Sequence, residues 1–226
     1  TERLDSREEA EALLAQLQSG ATYTVTLDQS SEIQLADNLT DTFQPAAGGT
    51  FTDVPATHWA AGAVAFVSSQ GLLQGTGAST FAPGQPMTRA MLVTALWREA
   101  GSPVVNYAMD FDDVDEDQWY TEAVRWAASE GIVTGTGKGF SPDAALTRES
   151  LAAILFRYAG GQADADQLGS YADGAGVSAW AREAMNWAVA QGLITGKSGG
   201  RLAPGGTASR AEVSAILMRY VQSAQA

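Results

Sequence analysis

From Phe51 onward this chain states the same sequence three times, and that repetition limits what it can fold into more than any other property. Phe51-Thr-Asp53-Val54 returns as Phe111-Asp-Asp113-Val114 and again as Tyr171-Ala-Asp173-Gly174. Trp59 returns as Trp119 and Trp180, Phe66 as Trp126 and Trp187, Gly71 as Gly131 and Gly192, and Gly75 as Gly135 and Gly196. Pro83 is matched by Pro142 and Pro204, Thr88-Arg89 by Thr147-Arg148 and Ser209-Arg210, and Arg98 by Arg157 and Arg219. The period is about 60 residues, with small slips in the loops. All six tryptophans fall on three repeat positions, Trp97 being matched by Phe156 and Met218.

Each copy has the same local grammar. Trp59 to Gln70 reads as a helix with Ala63, Phe66 and Val67 on one face, stopped by Gly71 in a left-handed cap. Leu72-Leu73 and Phe81-Ala82 read as very short strands around a Gly75-Thr-Gly77 turn. Pro83 and Pro86 lead to a second helix, capped by Thr88, running to about Ala100 and ended by Gly101. The third copy carries a full capping box, Ser209-Arg-Ala-Glu212, where the first has Met91 and the second Ser150 in place of the glutamate. Helices of about 12 residues cannot bury their apolar faces alone, so the three copies are expected to pack as one mainly α, roughly three-fold assembly. The expected units are residues 51–109, 110–169 and 170–226.

Residues 1–50 read differently. They hold nine of the chain's 26 acids and only Arg3 and Arg7 of its 13 basic residues. Ser6 and Glu9 fit a capping box before Leu13, Leu14 and Leu17; Tyr23–Leu27 and Ile33–Leu35 alternate as strands; Pro45 and Gly48-Gly49 suit a linker. This is a small helix-and-hairpin segment without evident chemistry.

Composition removes whole classes of function. The chain has no cysteine, which excludes zinc ribbons, iron–sulfur sites and thiol nucleophiles. His58 is its one histidine, so His₂ and His₃ metal sites are excluded. A net charge of −13 opposes nucleic-acid binding, and no apolar run is long enough to span a membrane. No signal peptide is visible, and Thr1 in place of Met reads as a processed or trimmed chain. The acidic run Asp110 to Asp117 lacks calcium-loop spacing, because counting from Asp113 puts Gln118 at position 6 and Val124 at position 12. It reads as a solvated loop. No cofactor is expected, no paired carboxylates suggest an enzyme, and nothing speaks to oligomeric state.

Together, Phe-x-Asp-Val, Trp plus helix, Gly-Leu/Ile-Leu/Val-x-Gly, Phe-x-Pro and Thr-Arg opening a second helix resemble the S-layer homology (SLH) domain, in three tandem copies over about residues 51–222. The resemblance implies a pseudo-three-fold spindle, secreted and retained at the bacterial surface. It implies anchoring to the wall through a secondary cell wall polysaccharide whose terminal sugar carries a pyruvate ketal, held in grooves between neighbouring repeats. Peptidoglycan or a protein partner at the cell surface are the alternatives.

The residues carry candidate roles of their own. Arg89, Arg148 and Arg210 each sit in the first helical turn, where the dipole disfavours a cation. An anion held jointly by free backbone N–H groups and the guanidinium accounts for the placement, at roughly 1.5–3 kcal/mol per charge-assisted contact. The alternative is an ion pair with Asp53, Asp113 or Asp173. Trp59, Trp119 and Trp180 stack on a sugar face or anchor the loop to the core. Asp53, Asp113 and Asp173 bond sugar hydroxyls or brace their own loops; Gly75, Gly135 and Gly196 admit a ligand to the backbone, as the resemblance implies, or only make the turn. Trp126 and Trp187 are expected in the core, and Arg98, Arg157 and Arg219 in structural roles at helix ends. The third copy departs in Gly174, in an extra residue before Trp180 and in Leu202 for Phe81 and Phe140, which predicts a weakened or differently shaped groove.

Overall fold

The computed structural model describes residues 51–135, 137, 139–162 and 165–224; the helix and hairpin expected before residue 50 lie outside them. Among the described residues there are six α-helices: α1 Ala61–Ser69, α2 Arg89–Glu99, α3 Thr121–Ser129, α4 Arg148–Tyr158, α5 Arg182–Ala190 and α6 Arg210–Ala224. The chain is mainly α, with two helices per repeat. The short strands expected at Leu72-Leu73 and Phe81-Ala82 do not form. Leu72 and Leu73 N–H both donate to Val67 O in a helix-terminal turn, and among the described residues pairing is confined to isolated bridges such as Gly77–Thr80.

The helix ends follow from sequence. Gly71, Gly131 and Gly192 close α1, α3 and α5 at φ +69, +68 and +67, where a Cβ is unfavourable. Thr88 and Thr147 cap α2 and α4 by accepting from Met91 and Ser150 N–H at 3.2 and 3.1 Å. At α6 the box is reciprocal: Glu212 N–H donates to Ser209 Oγ at 3.2 Å, and Ser209 N–H donates to Glu212 Oε2 at 3.0 Å. The first helices start later than the sequence suggests. Trp59 and Trp119 lie in turns ahead of α1 and α3, and Trp180 lies in the 3₁₀ turn Ala179–Ala181 ahead of α5.

Helices pair across repeats. The α3 helix packs on α2, α5 on α4, and α1 on α6, so each first helix lies against the second helix of another repeat. The last pair joins the two ends of the repeat region and closes the cycle. At its centre three backbone bonds form a ring: Met87 N–H to Ala208 O at 2.9 Å, Ala208 N–H to Leu146 O at 2.8 Å, and Leu146 N–H to Met87 O at 2.8 Å. Around this ring Phe81, Met87 and Leu96, Phe140, Leu146 and Leu155, and Leu202, Val213 and Leu217 are buried in one apolar core. Trp126 and Trp187 are buried there too, as expected.

Candidate functional site

The three motif arginines bind neighbouring repeats. Arg89 Nε donates to Phe140 O at 2.8 Å and Nη2 to Thr134 O at 3.4 Å. Arg148 reaches Leu202 O and Thr195 O at 2.7 and 2.8 Å, and Arg210 reaches Phe81 O and Gln74 O at 2.8 and 2.6 Å. Each guanidinium thus fastens its repeat to the next, cyclically. Arg89 and Arg210 also lie over the Phe140 and Phe81 rings at 4.8 and 4.4 Å, a cation–π contact that Leu202 cannot offer Arg148. Burial lowers the pKa of all three. Asp113, Asp173 and Asp53 act on Arg89, Arg148 and Arg210 through charge, while these short hydrogen bonds run to main-chain carbonyls.

The free N–H groups expected to meet an anion at these helix starts are engaged. Arg89 and Ala90 N–H donate to Ala144 and Pro142 O, Arg148 and Glu149 N–H to Gly206 and Pro204 O, and Arg210 and Ala211 N–H to Gln85 and Pro83 O. The crossing chain of a neighbouring repeat supplies the acceptors that the sequence left open. Any anion therefore meets the guanidinium edge, away from the helix amides.

The aspartates and glycines organise the same loops. Asp53 accepts from Phe81 and Ala82 N–H at 2.9 and 2.7 Å, Asp113 from Phe140 and Ser141 at 2.6 and 2.7 Å, and Asp173 from Leu202 and Ala203 at 2.7 and 2.9 Å. These bonds hold the Asp53 and Asp173 carboxyls below their ordinary pKa, the Phe81 and Leu202 amides contributing most. A Cβ on Gly75 would fall 2.7 Å from Thr80 O and 2.8 Å from the Phe51 ring; Gly135 and Gly196 face Phe111 and Tyr171 in the same way. Close packing against the loop aromatic thus requires these glycines.

Trp59, Trp119 and Trp180 are the opposite of anchored: they are 66%, 60% and 60% exposed. Two of them edge grooves where three repeats meet. One groove, about 210 Å³, is lined by Arg89 from the first repeat, Thr134, Gly135, Ser150 and Arg157 from the second, and Trp180 from the third. The other, about 170 Å³, brings together Arg148 from the second repeat, Thr195, Gly196, Lys197, Glu212 and Arg219 from the third, and Trp59 from the first. Each floor is one helix face, Ser150-Ala153-Ile154-Arg157 or Glu212-Ala215-Ile216-Arg219. Arg157 and Arg219 do fasten their loops, through Ile132 O and Leu193 O at 3.4 and 2.9 Å, but they also line the grooves, which the sequence reading missed. Their spacing of three, four and seven residues along α4 and α6 was the signal that could have shown it.

The S-layer homology domain model matches residues 50–90, 110–152 and 170–214. The chain belongs to the S-layer homology domain family. It is 30% identical over 172 residues to an amylopullulanase of Thermoanaerobacterium thermosulfurigenes, covering 74% of this chain and 9% of that protein. It is 28% identical over 182 residues to the S-layer protein sap of Bacillus anthracis, covering 77% and 21%. It is also 28% identical over 172 residues to the exoglucanase XynX of Acetivibrio thermocellus, covering 74% and 16%. The chain thus spans about a fifth or less of the length of these curated relatives. The SLH region is a cell-surface anchoring module of secreted and S-layer proteins and is itself non-catalytic. No described helix is long and apolar enough to cross a membrane.

Proposed function

We propose that this SLH triplet, with repeat units 51–109, 110–169 and 170–226, holds a larger surface protein to the cell wall by binding secondary cell wall polysaccharide, at a terminal sugar carrying a pyruvate ketal. The observation that carries this reading is the twice-repeated groove that joins a guanidinium, a glycine loop and a mostly exposed indole from three different repeats. An indole left open to water at a polar groove suits stacking on the apolar face of a sugar ring, and a guanidinium edge suits a carboxylate. In this reading Trp59, Trp119 and Trp180 stack, Arg89, Arg148 and Arg210 present charge, and Gly75, Gly135 and Gly196 set the groove wall. Asp53, Asp113 and Asp173 position the loops.

Co-sedimentation with purified bacterial wall sacculi, intact and stripped of secondary polysaccharide, tests the reading. Binding to intact walls alone is the expected result. Equal binding to both would replace the polysaccharide with peptidoglycan, and no binding would point to a protein partner.

A further inference from the structure

In the first repeat a thioether, Met91, stands where the third repeat has the Glu212 carboxylate. Glu212 meets two donors at the start of its helix: Oε2 accepts from Ser209 N–H at 3.0 Å, and Oε1 lies 3.9 Å from Arg148 Nη1. The joint between the third and first repeats keeps both donors but has sulfur at this position. Arg210 Nη1 donates to Met91 Sδ at 3.8 Å, while its Nε and Nη2 are engaged by Phe81 O and Gln74 O. The Thr88 N–H, counterpart of the Ser209 N–H, has no acceptor among the described residues. A thioether is a weak acceptor, so this helix start lacks the oxygen that its donors suit.

The chain has five methionines and no cysteine, so thioethers are its only oxidisable sulfurs. Met87 and Met185 are fully buried, whereas Met91, Met109 and Met218 are half-buried. Of these three, only Met91 has a hydrogen-bond donor on its sulfur among the described residues. We propose that Met91 is an oxidation site, and that its sulfoxide oxygen fastens Arg210 across the joint that closes the cycle of repeats. The oxidant is hydrogen peroxide. The sulfur lone pair attacks one peroxide oxygen, the S–O bond forms as the O–O bond breaks, and the other oxygen departs as hydroxide. That hydroxide takes the proton of the hydroxyl transferred to sulfur, so sulfur is oxidised, peroxide is reduced and water is the co-product. The Arg210 N–H on the sulfur stabilises the charge that develops on the departing oxygen. Methionine oxidation ordinarily loosens packing, because it turns an apolar side chain polar. Here it replaces a weak acceptor with a strong one facing a guanidinium, which tightens the contact.

Peptide mapping by mass spectrometry, after graded hydrogen peroxide treatment of the folded full chain, tests the site. Sulfoxide is expected at Met91 ahead of Met109 and Met218, with Met87 and Met185 unmodified. The fastening is tested in a chain carrying Met109→Leu and Met218→Leu, where Met91 is the accessible sulfur. Its melting temperature should rise on oxidation by about 2 °C or more. Met91→Gln places a carboxamide oxygen at this position without any oxidant, and should melt above Met91→Leu by a similar margin. Both substitutions fall at a half-buried helix position that carries serine and glutamate in the other repeats. In an Arg210→Lys background the advantage of glutamine over leucine should shrink.

Oxidation of Met91 behind either Met109 or Met218 overturns the site. A melting temperature that falls or stays level on oxidation overturns the fastening, as does Met91→Gln melting no higher than Met91→Leu. An undiminished advantage of glutamine in folded Arg210→Lys assigns the gain to the Thr88 N–H and overturns the role of Arg210. Should Arg210→Lys fail to fold, the oxidation and glutamine comparisons decide alone. None of these readouts involves wall material, so their failure leaves the polysaccharide reading standing.

Discussion

Arg210 and Phe81 are 129 residues apart in sequence, yet Arg210 Nε donates to Phe81 O at 2.8 Å and its guanidinium lies 4.4 Å over the Phe81 ring. The contact ties the last helix to the first repeat and so helps close the cycle of repeats. It also gives the motif arginines two roles. Neutralising them removes groove charge and an inter-repeat fastening together, so loss of wall binding by such a variant cannot be assigned to the groove without a folding measurement.

The arginines should rank by how completely they are engaged. Arg148 and Arg210 are buried and make two short bonds each; Arg89 is half-buried and its second bond is 3.4 Å. Charge-assisted bonds contribute about 1.5–3 kcal/mol and leave a buried carbonyl unpaired when removed. Arg210→Ala and Arg148→Ala are expected to lose about 3 kcal/mol or more, a large share of a typical domain's stability. Arg89→Ala should lose roughly half of that. Urea unfolding followed by helical circular dichroism measures all three.

Much of this was legible in the repeat pattern because helix grammar is local. Glycine caps, hydroxyl N-caps, the Ser209–Glu212 box and the core placement of Trp126 and Trp187 depend on neighbours within one or two turns. The grooves were legible only as single residues. Which helix pairs with which depends on the cross-repeat closure of α1 on α6, and no single repeat encodes it. The same closure supplies Ala144, Gly206 and Gln85 carbonyls to the α2, α4 and α6 starts, so amides that look free in the sequence are engaged. Arg157 and Arg219 were assigned from their helix-end position alone, which left out the face they share with Ser150 and Glu212.

Acid should weaken the fold through named carboxylates. Burial works against the charge of Glu212, but Lys197, the Ser209 N–H and Arg148 outweigh it and hold its pKa below the ordinary 4.5; Asp53 and Asp173 lie below 3.8 because of the loop amides they accept from. A carboxyl that binds its proton less readily folded than unfolded stabilises the fold above the unfolded pKa, and that contribution is lost as pH falls through the folded value. The urea midpoint should therefore decline once pH drops below about 4.5. Glu212→Gln should make the decline shallower, and an unchanged slope would remove Glu212 from the account.

At high pH the most strongly shifted group is Tyr158, with the Tyr220 and Tyr120 phenols also raised by burial. The Tyr158 hydroxyl donates to Glu99 Oε2, and its ring meets Trp126 edge-on and lies beside Tyr220. Burial, followed by the hydrogen bond to and charge of Glu99, pushes the phenol well above its ordinary value of 10.0. The fold retains this proton while the unfolded chain releases it, so stability should fall as pH rises past about 10. Absorbance of phenolate should appear for Tyr158 only with unfolding, and Tyr158→Phe should remove that part of the alkaline loss. The substitution also leaves Glu99 without its donor, at about 1 kcal/mol near neutrality.

Gly174 stands where the first two repeats have Val54 and Val114, and the reason is steric. A Cβ at Gly174 would lie 1.9 Å from Leu168 O and 2.7 Å from Leu168 C. Leu168 belongs to the 3₁₀ turn Leu168–Ser170, which the third repeat inserts under this loop, and its side chain is buried together with Val177. The apolar volume given by a loop valine elsewhere thus comes from Leu168 here, and the backbone that carries it leaves room only for hydrogen. Because the obstacle is a main-chain carbonyl, it cannot rotate away as a side chain would. Gly174→Ala is expected to cost about 1–3 kcal/mol of overpacking, and Gly174→Val, which restores the residue of the other repeats, should cost more. At Gly176, two residues on, an added methyl would meet no atom within 4 Å and the backbone is not left-handed, so Gly176→Ala should leave the melting temperature unchanged. Calorimetric melting of the three variants separates a close contact at Gly174 from a general intolerance of this turn, since equal losses at both positions would mean the latter.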